Sequence, residues 1–475
     1  MIHDLKPYPV MKDSDLPWLG KVPEHWAIKR GKNLFHCVDV RTETGKEELL
    51  TVSSERGIIP RRSTTVTMFK AESYIGHKLC WPGDLVINSL WAWSRGLGVS
   101  RHHGIVSTAY GVYRPRTGLD VDPRFIHELV RSKPFHWELQ VRSKGVWTSR
   151  LQLTDDSFLG APFPLPPLPE QAAIVRFLDH MDRRIRKYIR AKQKLIKLLE
   201  EQKQAIIHRA VTRGLDPNVR LKPSGVEWMG DVPAHWEVRR LKSIAQIRYG
   251  LGQPPRESKT GLPLIRATNV DHGRILEKNL VRVDPEDVPK TRNAFLSEGE
   301  IIIVRSGAYT ADSAIIPREY AGAVTGYDMV VTPRKVRPGF IALALLSSYI
   351  RDDQLIIAST RSAQPHLNAE ELGVALVMLP PEAEQERIVT HVMSTDRMLD
   401  TAAQTAHSEI SLLREYRTRL IADVVTGKLD VREVAANLPE EAEEPEVLDE
   451  IEAIENGEEM MIEGEGASEL QEAEA

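Results

Sequence analysis

Between Ile174 and Ile206 apolar residues return in alternating steps of three and four: Ile174, Leu178, Met181, Ile185, Tyr188, Leu195, Leu199 and Ile206, with Lys192 and Gln202 in two further slots. Such spacing predicts a long helix with a heptad seam. A second run, Ile388, Val392, Thr395, Leu399, Ala402, Ala406, Glu409, Leu413, Tyr416 and Leu420, repeats it with smaller residues. Roughly 40 residues of helix span about 60 Å, and the simplest use of two such helices is to pack on each other antiparallel. Short apolar runs, Asp84-Leu85-Val86-Ile87 and Glu300-Ile301-Ile302-Ile303-Val304, read as strands; each follows a glycine turn and leads into a polar loop, 88–98 or 305–313. Pro123–Arg131 and Pro338–Ile350 read as helices. Prolines at 162–169 (PFPLPPLP) and 380–381 break the pattern just before each long helix and mark domain boundaries.

These elements occur twice in the same order. Trp18–Arg30 (WLGKVPEHWAIKR) returns as Trp228–Arg240 (WMGDVPAHWEVRR), with seven of thirteen positions matching at an offset of 210. Pro169-Glu170-Gln171 before Ile174-Val175 returns as Ala383-Glu384-Gln385 before Ile388-Val389, and 211–216 (VTRGLD) as 425–430 (VTGKLD), at an offset of 214. Three landmarks at nearly constant spacing mean a tandem duplication. The 475 residues, which by length alone would suit about three units, are two copies of one α/β module, each closed by a long helix. Trp18, Trp26, Trp228 and Trp236, with His25 and His235, are expected to form the structural turn that fixes chain entry into each copy.

Composition narrows the function classes. Apolar residues make up 41% of the chain, enough to bury real cores. Cys37 and Cys80 are too few for a disulfide framework or a four-ligand zinc site, and they suit a reducing compartment. The longest mostly apolar stretch, 340–350, is too short to span a bilayer, so a cytoplasmic protein without membrane contact is expected. The net charge of −4 conceals an asymmetry: residues 440–475 hold 16 Asp and Glu and no Lys or Arg, leaving the rest with a surplus of twelve positive charges. A basic body suits a polyanionic partner, and the acidic segment is expected to be disordered. Residues 171–213 of the first long helix hold twelve basic against four acidic residues, whereas 384–428 hold six against seven. The first surplus suits either a solvated outer face or contact with a phosphate backbone or acidic partner.

No convincing catalytic constellation is present. There is neither a phosphate-cradling G-x-x-x-x-G-K-[ST] nor a G-x-G-x-x-G after a strand, and the Asn-Pro-Pro-aromatic signature of adenine methyltransferases is missing. His127-Glu128 lacks a second histidine at metalloprotease spacing and reads as a surface helix pair; His102-His103 lacks a third ligand. The expectation is a chain with no catalytic residue, no metal site and no cofactor of its own.

Side chains suited to nucleic acid do occur, at matching places in both copies. The loop after the central strand holds Trp91, Trp93, Ser94 and Arg95 in the first copy and Arg305, Ser306, Tyr309 and Thr310 in the second. A later segment offers Lys144, Trp147, Ser149, Arg150 and Gln152, matched by Arg361, Gln364 and His366. Arg pairs bidentately with guanine and Gln with adenine, while Ser, Thr and Lys hold phosphates.

With its W-x-G-x-V-P-x-H-W turn, its P-L-P-P-L-P-E-Q break into a long helix and its V-T-x-G-x-D-like helix ends, the chain resembles the specificity subunit of type I restriction–modification enzymes over residues 10–432, in duplicate. The resemblance implies an α/β (α+β) tandem repeat with two globular target recognition domains separated by two long antiparallel coiled-coil helices. It places an N-terminal arm at 1–17, recognition domains at 18–165 and 228–380, and spacer helices at 170–213 and 384–428; the acidic tail, 433–475, lies outside the family pattern. It further implies recognition of a split, asymmetric site in double-stranded DNA by a non-catalytic subunit. Two methylation subunits and restriction/translocase subunits would be its partners, with S-adenosylmethionine, ATP and Mg²⁺ used by those partners. A coiled-coil scaffold binding other proteins would also explain the rod and the repeat, but not the Arg, Trp and Gln loops at equivalent positions. A self-sufficient nuclease or methyltransferase is disfavoured by the missing motifs.

Overall fold

A computed structural model describes residues 5–54, 56–63, 73–145, 151–289, 293–360 and 365–439. The chain forms two compact units, one built from the segment up to Arg190 together with the segment from Ile410 onward, the other from Ala191–Glu409. Each unit holds one half of each long helix, Leu168–Arg213 and Glu382–Val425.

Both units are built on the same four-stranded antiparallel sheet. In the first the order is Phe35–Cys37, Tyr110–Pro115, Leu85–Asn88, Leu97–Val99; in the second it is Ala245–Tyr249, Met329–Pro333, Ile301–Ile303, Ser313–Ile315. The strands read from short apolar runs thus sit inside each sheet, with their side chains almost wholly buried. The acidic residue opening each is buried and held by an arginine of the same sheet, from the adjacent strand in the first unit and from the strand beyond it in the second. Asp84 accepts two bonds of 2.8 Å from Arg114, and Glu300 accepts bonds of 2.5 and 2.6 Å from Arg248. Burial would raise the Glu300 carboxyl, but hydrogen bonds from Arg248, Thr332 and the Ser297 backbone outweigh it and hold the group below the usual range. A buried carboxylate is tolerated at such a site because every oxygen is paired. The copies diverge outside this sheet: the first adds the hairpin Leu50–Ser53/Gly57–Pro60, the second a three-stranded sheet of Glu257–Ile265, Val281–Val283 and Val324–Thr325.

The proline-rich break is also structure. Pro162–Leu165 pairs with Ala27–Arg30 in a two-stranded ribbon, and Leu376–Leu379 pairs with Glu237–Arg240 in the same way. A two-stranded ribbon has only edge strands, where a missing proline N–H costs no ladder bond.

The sequence landmarks separated along the chain meet at the head of each long helix. Glu170, buried in the first helical turn, accepts bonds from Tyr8 Oη (2.6 Å) and Trp26 Nε1 (2.8 Å) and pairs with His25 Nε2 (2.7 Å). Glu384 pairs with His235 Nε2 (2.6 Å) and accepts from Trp236 Nε1 (3.1 Å). The adjacent glutamines, Gln171 and Gln385, fold back on Pro166 and Pro380 carbonyls and accept the backbone N–H of Asp122 and Arg337. The third landmark changes partner between copies. Gly214, ending the first helix, packs against Trp236 and Glu384, while Gly427, ending the second, packs against Pro23 and Trp26. Both glycines have positive φ, and a β-carbon on Gly427 would lie 2.4 Å from Pro23 Cδ, so glycine is required there. Of the four tryptophans assigned to the turn, Trp26 and Trp236 are fully buried, Trp18 packs edge-on against Phe135, and Trp228 lies half in solvent.

Within each unit the helix halves run antiparallel. In the second unit Lys192 pairs with Glu409 (2.5 Å) and Lys203 with Asp396 (2.7 Å), so positions rise on one helix as they fall on the other. In the first unit Asp182 pairs with Arg417. The seam departs from strict heptads in the first helix: Ile189 and Ile196 are buried, whereas Tyr188 and Leu195 are exposed by 54% and 40%. A straight helix turns every 3.6 residues and not every 3.5, so the buried stripe drifts toward later positions by about 0.4 residue over four turns, the direction of the observed shift. The acidic tail also begins later than 433. Arg432–Ala436 is helical, Ala435 and Leu438 are buried in the first unit, and residues 440–475 lie outside the described residues. The short segment stays in place because it carries the apolar Val434, Ala435 and Leu438 alongside its charges.

Candidate nucleic-acid interface

The loops leaving the central strands occupy equivalent positions and share their anchoring. In the first unit Leu153 N–H donates to the Ser89 carbonyl (3.0 Å); in the second Leu367 N–H donates to the Arg305 carbonyl (2.8 Å). Both leucines are buried. Each anchor brings the described part of the later candidate segment beside the loop, Gln152 in the first unit and His366 in the second.

In the first unit, Ala92–Ser94 forms a single 3₁₀ turn closed by Arg95 in the left-handed region (φ 61). Trp91 is 52% exposed, Trp93 donates Nε1 to the Leu90 carbonyl (2.7 Å), Ser94 is half-buried and Arg95 points to solvent. Arg131, missed by sequence reasoning, braces the loop by donating to the Leu97 (2.7 Å) and Arg95 (3.3 Å) carbonyls and to Ser54 (2.8 Å). Exposed Lys144 and Gln152 exchange two backbone hydrogen bonds of 2.9 Å. Trp147, Ser149 and Arg150 lie outside the described residues.

The second unit presents a different face. The Arg305 guanidinium sits between the rings of Tyr249 (4.7 Å) and Tyr327 (4.3 Å), and its Nη2 donates to His366 Nε2 (2.7 Å). Its Nε is buried without a hydrogen-bond partner among the described residues. Ser306 bridges to His366 through the backbone, and Tyr309 is 54% exposed. Thr310 is buried, its hydroxyl spent on the Gly307 carbonyl (2.7 Å). Arg361 and Gln364 lie outside the described residues. Sequence reasoning missed Tyr249 and Tyr327. Their signal was an adjacent glycine on each, Tyr249-Gly250 and Gly326-Tyr327: a β-carbon on Gly250 would lie 2.1 Å from the Gly326 carbonyl oxygen, so only glycine lets the loops approach. The pair of exposed rings with a guanidinium between them offers π faces and a cation on one surface.

Asp328 lies beneath this cluster and accepts the Arg305 backbone N–H (3.2 Å). Burial pushes its carboxyl up to about 6, against the pull of the Arg305 and Ala267 backbone N–H groups and the Arg305 charge. The ordinary unfolded value is about 3.9. The folded value is the higher one, so the stabilising contribution is fully present below about pH 4 and lost as pH rises through about 6. Asp328→Asn is expected to remove this dependence. Its unfolding free energy relative to the native chain should shift in its favour across that window, by at most about 1.4 kcal/mol per pH unit. A flat difference in urea unfolding from pH 4 to 7 would place the titration elsewhere.

His127 is half-buried against the sheet and not freely exposed. Its Nδ1 accepts the Val99 backbone N–H (3.2 Å), and burial pushes the imidazole down to about 3. Burial likewise raises the neighbouring Glu128 carboxyl. Among the described residues, Asp271, His272 and Asp312 bring three possible ligand atoms within 4.8 Å of one another. Asp312 already accepts the backbone N–H of His272 (3.1 Å) and Ser313 (2.8 Å), so the group pins a hairpin turn onto the sheet edge. Both cysteines are free, and among the described residues no helix is long and apolar enough to cross a membrane.

The duplicated module thus carries one shared sheet and two dissimilar exposed loop clusters. The family model described as type I restriction modification DNA specificity domain matches residues 233–410. The chain is similar to the type I restriction enzyme EcoKI specificity subunit of Escherichia coli (strain K12), with 21% identity over 442 residues that cover 88% of this chain and 92% of that protein. It is also similar to the type I restriction enzyme EcoBI specificity subunit of Escherichia coli, with 24% identity over 289 residues, 58% of this chain and 60% of that protein. A solved chain from a study of complex assembly and conformational transition in the type I R-M system shares the fold, with a TM-score of 0.62 at 17% identity over 86% of this chain and 99% of that one. The chain is thus similar to specificity subunits of type I restriction enzymes, and residues 233–410 match their DNA specificity domain.

Proposed function

We propose that this chain is the DNA sequence-recognition subunit of a cytoplasmic type I restriction–modification complex. Each unit reads one half of a split, asymmetric site in double-stranded DNA, and the paired long helices set the gap. The chain is non-catalytic and directs adenine methylation and restriction by partner subunits: two methylation subunits and the restriction/translocase subunits. S-adenosylmethionine, ATP and Mg²⁺ belong to those partners. The observation that carries this reading is that equivalent loops on equivalent sheets present different chemistry, Trp91 and Arg95 in one unit and Tyr249, Arg305 and Tyr327 in the other. Copies that kept the sheet but changed the loop would read unlike bases. The test is a genome-wide map of methylated adenines in the source cell with and without the gene. Loss of one split, asymmetric motif is the expected result; an unchanged map from a locus whose partner subunits are expressed would overturn it.

At residue level, Arg95→Ala and Arg305→Ala are each expected to weaken recognition at one half-site only, by about 1–3 kcal/mol as for a base-reading contact. Arg305→Lys keeps the charge but not the planar fork stacked between Tyr249 and Tyr327, and should lose much of the same discrimination. Competition binding of the assembled complex to oligonucleotides altered in one half-site checks this. Unchanged affinity and base preference would remove these loops from the interface.

A further inference from the structure

The first long helix carries a basic stripe near the point where the described chain ends. Arg176 Nη2 donates to the Leu438 carbonyl (2.6 Å), one residue before the last described residue, Pro439. Arg176 lines a cleft of about 220 Å³ with Arg124, Arg183, Asp122 and Asp179. Arg124 is paired with Asp179. Further along, exposed Lys187 and half-exposed Arg190 make no hydrogen bond or ion pair among the described residues. Positions 176, 183, 187 and 190 are separated by seven, four and three residues, which places them on one helix face. The segment that follows Pro439 opens with Glu440, Glu441, Glu443 and Glu444 and holds 16 acidic and no basic residues over 440–475.

We propose that the acidic segment 440–475 docks in cis on this stripe, with its first glutamates over Arg176, Arg183, Lys187 and Arg190. Arg176 delivers the chain to the head of the stripe. From Arg176 to Lys187 the helix rises about 17 Å, a distance that about five extended residues cover, so the Glu440–Glu444 cluster is long enough. Opposite charge supplies the attraction, and its exposed setting makes the contact sensitive to salt. The docked segment shields the stripe from other polyanions, including DNA phosphates approaching outside the recognition loops. This inference concerns a surface apart from the candidate recognition loops, and its test is independent of that reading.

Zero-length carbodiimide coupling of the intact full chain, read by mass spectrometry, locates the contact, because the reagent joins a lysine amine only to a carboxylate touching it. At low salt Lys187 is expected to couple to glutamates of the 440–475 segment, and the yield should fall several-fold or more in 1 M NaCl. Coupling of that segment only to lysines outside the stripe, or no coupling to Lys187 at any salt, would overturn the proposal. Neutralising the glutamates of 440–444 to glutamine in the full chain should abolish the Lys187 product without altering the melting temperature. Persistence of that product would equally overturn it.

Discussion

Glu170→Ala is expected to destabilise the first unit by about 3–5 kcal/mol. The carboxylate is buried and receives Tyr8 Oη, Trp26 Nε1 and His25 Nε2 at 2.6–2.8 Å. Truncation strands two buried donors, Tyr8 and Trp26, each costing about 1–3 kcal/mol when left unpaired. His25, 41% exposed, can turn to water. The same contact explains the Tyr8 hydroxyl, whose ionisation is pushed far up by burial and by the Glu170 carboxylate. Glu384→Ala removes a weaker version of the lock, with one buried donor at 3.1 Å and a half-exposed histidine, and should cost about half as much. Urea unfolding of both variants, followed by tryptophan fluorescence, measures the difference. Equal losses would mean that the head of the helix is held by apolar packing and not by the carboxylate.

The second large effect concerns the gap between the half-sites. Deleting one heptad from both long helices removes about 10.5 Å of rise, or roughly three base pairs at 3.4 Å each. The methylated motif is then expected to keep its half-site bases and lose about three positions from its unspecified centre. The stripe of the first helix repeats every 3.6 residues and not every 3.5, so a heptad deletion leaves a rotation of about 20°. An eleven-residue deletion, close to three whole turns, should give the better-behaved variant and a gap shorter by about five base pairs. A deletion variant that changed the bases recognised while keeping the gap would overturn the assignment of the helices as the ruler.

Local patterns carried much of this. The Pro123–Arg131 helix is bounded as its sequence suggests, by Asp122 accepting from Arg124 and Phe125 at its start. The central strands were legible because short apolar runs between glycine turns have few other ways to bury themselves. Seam positions failed at Tyr188 and Leu195 because counting in integers hides a drift of a tenth of a residue per turn. His127 was misread because one polar residue on a helix carries no sign of the strand that will cover it.

The duplication, the two cores and the order of elements followed from the sequence, since repeats, periodicity and proline breaks are properties of neighbouring residues. Only the tertiary structure decided which landmarks meet. Glu170 reaches Trp26 across 144 residues, Gly214 closes on the second copy's tryptophan and Gly427 on the first copy's. The candidate site divides in the same way. Arg305, Tyr309, Trp91 and Arg95 stood out by type, whereas Tyr249 and Tyr327 became part of it only when two glycine-flanked loops closed around Arg305. Such contacts depend on strand order and on loops far apart in the chain, and spacing along one sequence records neither.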